Sequence, residues 1–145
     1  MYKNVLRLKK NIILRGINKP LLGSSDIIVA RVIEIKADGC QIEGFRIKAS
    51  GTGISVSSNN NTITDNEITA QGTFGSGIII DKDDNRIISN NISAYSRGID
   101  VGGQNNEILK NNIRGRYAPL SIGIDIEGSA NKIIENTILT LSYYK

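Results

Sequence analysis

At 145 residues, with 39% hydrophobic and 22% charged side chains, the chain has the make-up of one folded domain rather than of a disordered segment. One Cys and no His exclude an intrachain disulfide, a histidine base and a Cys/His zinc centre. The net charge of +4 is scattered among acids without a basic stripe, so nucleic acid is not an expected partner, and no apolar run reaches the roughly 18 residues of a membrane span.

The chain opens on MYKNVLRLKK, which has charge but no apolar stretch behind it, so no secretory signal is read there. IILRGI at 12–17 is a first, irregular copy of a pattern that sharpens downstream. VIEI at 32–35 is followed by CQIEGFRI at 40–47. GISV at 53 then precedes NTITDNEI at 61–68, GIII at 77 precedes NRIISNNI at 85–92, GIDV at 98 precedes NEILKNNI at 106–113, and GIDI at 123 precedes NKIIENTI at 131–138. The motif N-x-I-x-x-N-x-I thus recurs at spacings of 24, 21 and 25 residues. From each of these Gly residues to the next motif is always 8 residues, so all length variation falls in the segment before the Gly.

Periods of this size belong to solenoids, propellers or arrays. Three short strand-like pieces per repeat are too few for a propeller blade, and the Leu framework of leucine-rich repeats is missing. With 27 Ile for strands and 16 Asn for turns, the pattern predicts an all-β, single-stranded, right-handed parallel β-helix. About five to six coils of 21–25 residues are expected. Residues 1–145 form one β-helix domain in this reading, open to being a segment of a longer solenoid. Ile63, Ile68, Ile87 and Ile92 should point inward and their neighbours outward. Coils about 4.8 Å apart stack like residues into columns. Asn66, Asn90, Asn111 and Asn136 are therefore expected as a hydrogen-bonded amide ladder at a turn, in the left-handed backbone that Asn tolerates. Cys40 stands where Asn stands elsewhere and reads as a packing residue. Arg86, Glu107 and Lys132 alternate in sign along one column, as stacked outward neighbours should.

The order ILRGINKPLL, GCQIEGFRI, GISVSSNNNTI resembles the opening of the NosD-like right-handed β-helix proteins. These belong to the carbohydrate-binding and sugar-hydrolase β-helix class of the pectin-lyase-like superfamily. The resemblance spans nearly the whole chain. It implies a glycan or polysaccharide as ligand and an extracellular or cell-surface location. NosD is linked to copper insertion, but one Cys, one Met and no His leave no soft copper site to carry over. The hydrolases of the class use clustered aspartates and a Gly-His-Gly element. Arg46–Lys48 resembles a short polygalacturonase motif without its companions.

Two groups of residues are candidates for chemistry. The outward column Glu34, Ser55, Ile79, Asp100, Asp125 stacks two carboxylates, Asp100 and Asp125, with Asp81 and Glu127 at the next corner. They could be a catalytic pair, a calcium site, or an acidic patch neutralised by Arg97 or Lys82. The Arg or Lys account is favoured, because calcium needs about six or more oxygens. No metal or other cofactor is otherwise expected. The second group is the variable edge, with Phe74, Tyr95 and Tyr117 beside Arg97, Arg114 and Arg116. Rings there could stack on sugars while Arg binds hydroxyls or carboxylates, or they could shield the apolar edge under longer turns. Three functions follow: a non-catalytic structural or glycan-binding module of a larger surface or exported protein, a polysaccharide lyase or hydrolase, or a self-assembling solenoid. Self-association through uncapped ends is expected near Leu139, Leu141, Tyr143 and Tyr144.

Overall fold

The computed structural model describes residues 5–23, 31–116 and 121–140. Every element in it is a short strand, and the strands fall into six successive coils of three. Coil 1 is β1 (Leu6–Leu8), β2 (Ile13–Arg15) and β3 (Leu21–Gly23). Coil 2 is β4 (Arg31–Ile35), β5 (Gln41–Glu43) and β6 (Arg46–Ala49). Coil 3 is β7 (Thr52–Val56), β8 (Thr62–Thr64) and β9 (Glu67–Ala70). Coil 4 is β10 (Ile78–Ile80), β11 (Arg86–Ile88) and β12 (Asn91–Ala94). Coil 5 is β13 (Arg97–Val101), β14 (Glu107–Leu109) and β15 (Asn112–Gly115). Coil 6 is β16 (Ile122–Ile126), β17 (Lys132–Ile134) and β18 (Thr137–Thr140). The first, second and third strands of the coils make three parallel sheets of six strands, here sheets 1, 2 and 3.

The register is that of the repeat. Ile54, Ile78, Ile99 and Ile124 are partners in sheet 1, and Ile63, Ile87, Ile108 and Ile133 in sheet 2. These columns point inward, and from coil 2 to coil 5 their Ile side chains are fully buried. Each such side chain is worth about 1.5–3 kcal/mol of burial, and β-branching suits it to a pleated strand. Coil 1 departs from the expected period. Its residues pair with coil 2 at separations of 25 to 28, as in Leu21 with Arg46 and Ile13 with Gln41. Cys40 is buried in the core, as a packing residue would be.

The turns carry two amide ladders, not one. In the first, the backbone N–H of Cys40, Asn61, Asn85 and Asn106 donates to the side-chain oxygen of Asn61, Asn85, Asn106 and Asn131 on the next coil. In the second, Phe45, Asn66, Asn90 and Asn111 donate likewise to Asn66, Asn90, Asn111 and Asn136. The ladder asparagines are not the left-handed residues. That conformation falls on the residue before each one: Asn60, Asp84, Asn105 and Ala130 in the first turn, and Asp65, Ser89, Lys110 and Glu135 in the second. The ladder Asn needs its side chain aimed along the stack, and the residue before it makes the corner. A third, exposed run goes the other way, with the side chains of Asp38, Asn59 and Asp83 accepting from the next coil's N–H at Asn59, Asp83 and Gln104.

The two ends leave apolar surface uncovered among the described residues. Ile133 and Ile138 point inward yet are 46% and 48% exposed, and Leu139 beside them is also exposed. Leu6, Ile13 and Ile17 are exposed on coil 1. Leu141, Tyr143 and Tyr144 lie outside the described residues.

Candidate functional site

Sheet 1 has the outward column expected for it, extended by one coil: Arg7, Glu34, Ser55, Ile79, Asp100, Asp125. Asp100 and Asp125 are direct partners across β13 and β16. Arg97, three residues before Asp100 on the same strand, lies between them. Its Nε donates to Asp125 Oδ2 at 2.7 Å, and its Nη1 is 3.7 Å from Asp100 Oδ2. The hydrogen bond to Asp125, then the charge of Asp100, raises the Arg97 pKa above its ordinary value. The Asp100 pKa is raised above its ordinary value, first by desolvation, with Arg97 opposing this and Asp125, Glu127 and Asp81 adding to it. Lys82, the alternative counter-ion, makes no ion pair with either carboxylate among the described residues. No three Asp, Glu, Cys or His side chains among the described residues converge as a metal-binding group.

The other end of the same column reverses the charges. Glu34 is buried, and Arg7 Nε donates to its Oε2 at 2.6 Å. Arg31 lies 3.3 Å and Lys36 3.7 Å from its carboxylate. The Arg7 hydrogen bond is the largest cause holding Glu34 below its ordinary value. This cluster was not read from the sequence as a site. Arg7 enters the column only through the 27-residue register of coil 1, which the regular period does not reveal.

The variable edge joins sheet 3 of one coil to sheet 1 of the next. Gln71 N–H donates to Ala49 O, Tyr95 N–H to Ala70 O, and Arg116 N–H to Ala94 O, so Gln71, Tyr95 and Arg116 stack there. The Arg116 guanidinium sits over the Tyr95 ring, 5.8 Å from its centroid. Arg114 is exposed on β15. Phe74 tips the turn between β9 and β10 and is 91% exposed, so it shields no apolar edge. Tyr117 lies outside the described residues. Arg97 begins next to this edge but is turned onto the acidic pair.

The profile of the family described as the right handed beta helix region matches residues 10–143. The chain belongs to the right-handed β-helix family. Neither the curated proteins nor the solved structures give a match. In this β-helix the three parallel sheets and the repeat have one cause, and membership fixes architecture without assigning chemistry to any column. No helix is long and apolar enough to cross a membrane among the described residues.

The acidic pair of the β-helix gives a direct test. Asp100→Asn removes a penalised charge and leaves Arg97 its shorter bond to Asp125. We expect a small gain in stability at neutral pH, under about 1 kcal/mol, the scale of partly exposed ion pairs. The sign follows from the raised pKa: the penalty is complete above the folded value and disappears below the unfolded one. The melting shift should be the same with and without calcium. A calcium-dependent rise seen in wild type and lost in Asp100→Asn would instead make the pair a cation site.

Proposed function

We propose that this chain is a non-catalytic β-helix module of a surface or exported protein, binding an acidic glycan along its variable edge. The observation carrying this reading is Phe74. An almost fully exposed Phe is held at the tip of a turn tied down by backbone bonds at Gln71, Gly75 and Ser96. Gly72 and Gly75 tighten the loop, since a Cβ on Gly72 would run into the Ser50 carbonyl. An aromatic ring displayed to water from a tied turn, without a packing role, suits a ligand that brings its own apolar face, such as a sugar ring. Tyr95 supplies a second ring on the next coil, and Arg114 and Arg116 supply planar donors for carboxylates.

The test is binding to an array of acidic and neutral polysaccharides, followed by titration of Phe74→Ala and Arg116→Ala. Each change should weaken binding about tenfold, the value of roughly one lost ring or charged contact. Phe74→Ala should leave the melting temperature unchanged, because its side chain packs on almost nothing. Reducing-sugar and unsaturated-product assays should show no turnover. Turnover would favour the lyase or hydrolase reading, and absence of any glycan binding would favour the assembly reading.

A further inference from the structure

The outward face of sheet 1, away from the glycan edge, is divided by charge along the helix axis. On coils 1 and 2, Arg7, Arg31 and Lys36 surround one carboxylate, Glu34, and Lys9 stands beside Lys36 at the corner. On coils 4 to 6, Asp100, Asp125 and Glu127 surround one cation, Arg97, and Asp81 adds its charge at Asp100. Between them lie Ser55, Ser57 and Ile79, uncharged and mostly small. The two ends are therefore opposite in sign and equal in magnitude. A ligand of one sign laid along this face would be attracted by one half and repelled by the other.

We propose that two copies of this chain pair through sheet 1, face to face with antiparallel helix axes. A two-fold axis between coils 3 and 4, parallel to the strands, exchanges coil 1 with coil 6, coil 2 with coil 5, and coil 3 with coil 4. It sets the basic coil 1 of each copy on the acidic coil 6 of the other, and Ser55 and Ser57 of coil 3 on Ile79 and Asp81 of coil 4. That is the self-complementarity an isologous interface requires. In the central column Arg7 then faces Asp125 of the second copy. In the corner column, which runs Lys9, Lys36, Ser57, Asp81, Gly102, Glu127 by the backbone bonds between coils, Lys9 faces Glu127. Arg31 faces Arg97 and Glu34 faces Asp100, like charges in each case, so coil 2 against coil 5 adds little and the attraction rests on coil 1 against coil 6. Each guanidinium is already held by its own carboxylate, Arg31 by Glu34 and Arg97 by Asp125.

Size sets the strength. Five coil spacings of about 4.8 Å and a strand width of about 16 Å give roughly 400 Å² per copy. A stable standard interface buries about 800 Å² per partner. The pairing is therefore weak and depends on its charges.

Sedimentation velocity over a concentration series tests this. At low ionic strength the chain should form a concentration-dependent dimer. At about 1 M salt, where the Debye length falls to about 3 Å, the dimer should dissociate. Contact between the apolar ends has the opposite dependence, since it is not weakened by screening and is strengthened by excluded salts such as sulfate. Lys9→Glu and Glu127→Lys are exposed single reversals outside the ion pairs described above. Each occurs twice in the dimer and should weaken it about tenfold or more. The double reversal should restore it, because the two positions exchange signs across the axis. A strict monomer at low salt, association that grows with salt, or a double reversal no better than the singles would each overturn the proposal.

Discussion

Asn90→Ala is expected to lower the unfolding free energy by about 3–5 kcal/mol, a large part of the 5–15 kcal/mol typical of a domain. Asn90 is 1% exposed and uses its whole side chain. Its oxygen accepts from the backbone N–H and the side-chain amide of Asn66, at 3.0 and 3.1 Å. Its amide nitrogen donates to Ile63 O, Ile88 O and Asn111 Oδ1. Alanine would leave the buried backbone N–H of Asn66 without its acceptor, at about 1–3 kcal/mol, and would remove the bonds to Ile63 O and Asn111 Oδ1, each worth about 0.5–1.5 kcal/mol, while Ile88 O keeps the Asp65 N–H. Asn136 makes four of these five bonds on the last coil, without the amide donation to a following Asn, and it is partly exposed, so solvent substitutes there. Asn136→Ala should cost only about 1 kcal/mol. Urea midpoints of the two variants, read with their slopes, check this. Equal losses at the two positions would mean that the ladder's strength does not come from its burial.

Gly98→Ala should be about as damaging, near 3 kcal/mol, at the upper end of overpacking costs. A Cβ at Gly98 would meet Ile113 Cγ2 and the Gly123 carbonyl oxygen closer than 3.0 Å. The second obstacle is backbone, so it can yield only if coils 5 and 6 separate. Separation would lengthen the sheet 1 bonds and both ladder steps between those coils. Gly53 and Gly77 meet the same pair of obstacles on coils 3 and 4, which makes this a column property. Gly102 is the control. The nearest atom to its added Cβ is Ile80 O at 3.8 Å, so Gly102→Ala should change stability by no more than about 0.5 kcal/mol. Thermal melts of both variants decide the matter: a Gly98→Ala protein as stable as wild type would show that the coil spacing is softer than this packing implies.

The candidate sites were legible to different depths. The stacking of Asp100 on Asp125 follows from counting residues, because parallel strands in register put equal repeat positions side by side. That Arg97 rather than Lys82 lies between them does not follow from counting. It depends on which way a long side chain leaves its strand. Phe74 could be placed on the variable edge from the repeat, but whether it shields the core or faces water depends on how the loop from Gln71 to Ser76 closes. The division of sheet 1 into a basic and an acidic end was hidden for a third reason. It needs Arg7 and Lys9 in register with coil 2, and coil 1 keeps a longer, irregular spacing.

The sequence alone determined the class of fold, the three-strand coil, the inward Ile columns and the strand register from coil 2 onward, because each depends on periodicity. A period of two within strands and of 21 to 25 between coils leaves one way to bury Ile63, Ile87 and Ile108 together. Tertiary structure decided what periodicity does not encode. It gave the left-handed conformation to Asp84 and Ser89 rather than to the ladder residues, and it added a second ladder at Asn85 to the one expected at Asn90. The physical reason is that the corner requires a positive φ at one residue, and the stack requires an oxygen aimed at the coil before at the next one. Which residue takes which task is settled only when neighbouring coils are in place to receive the hydrogen bonds.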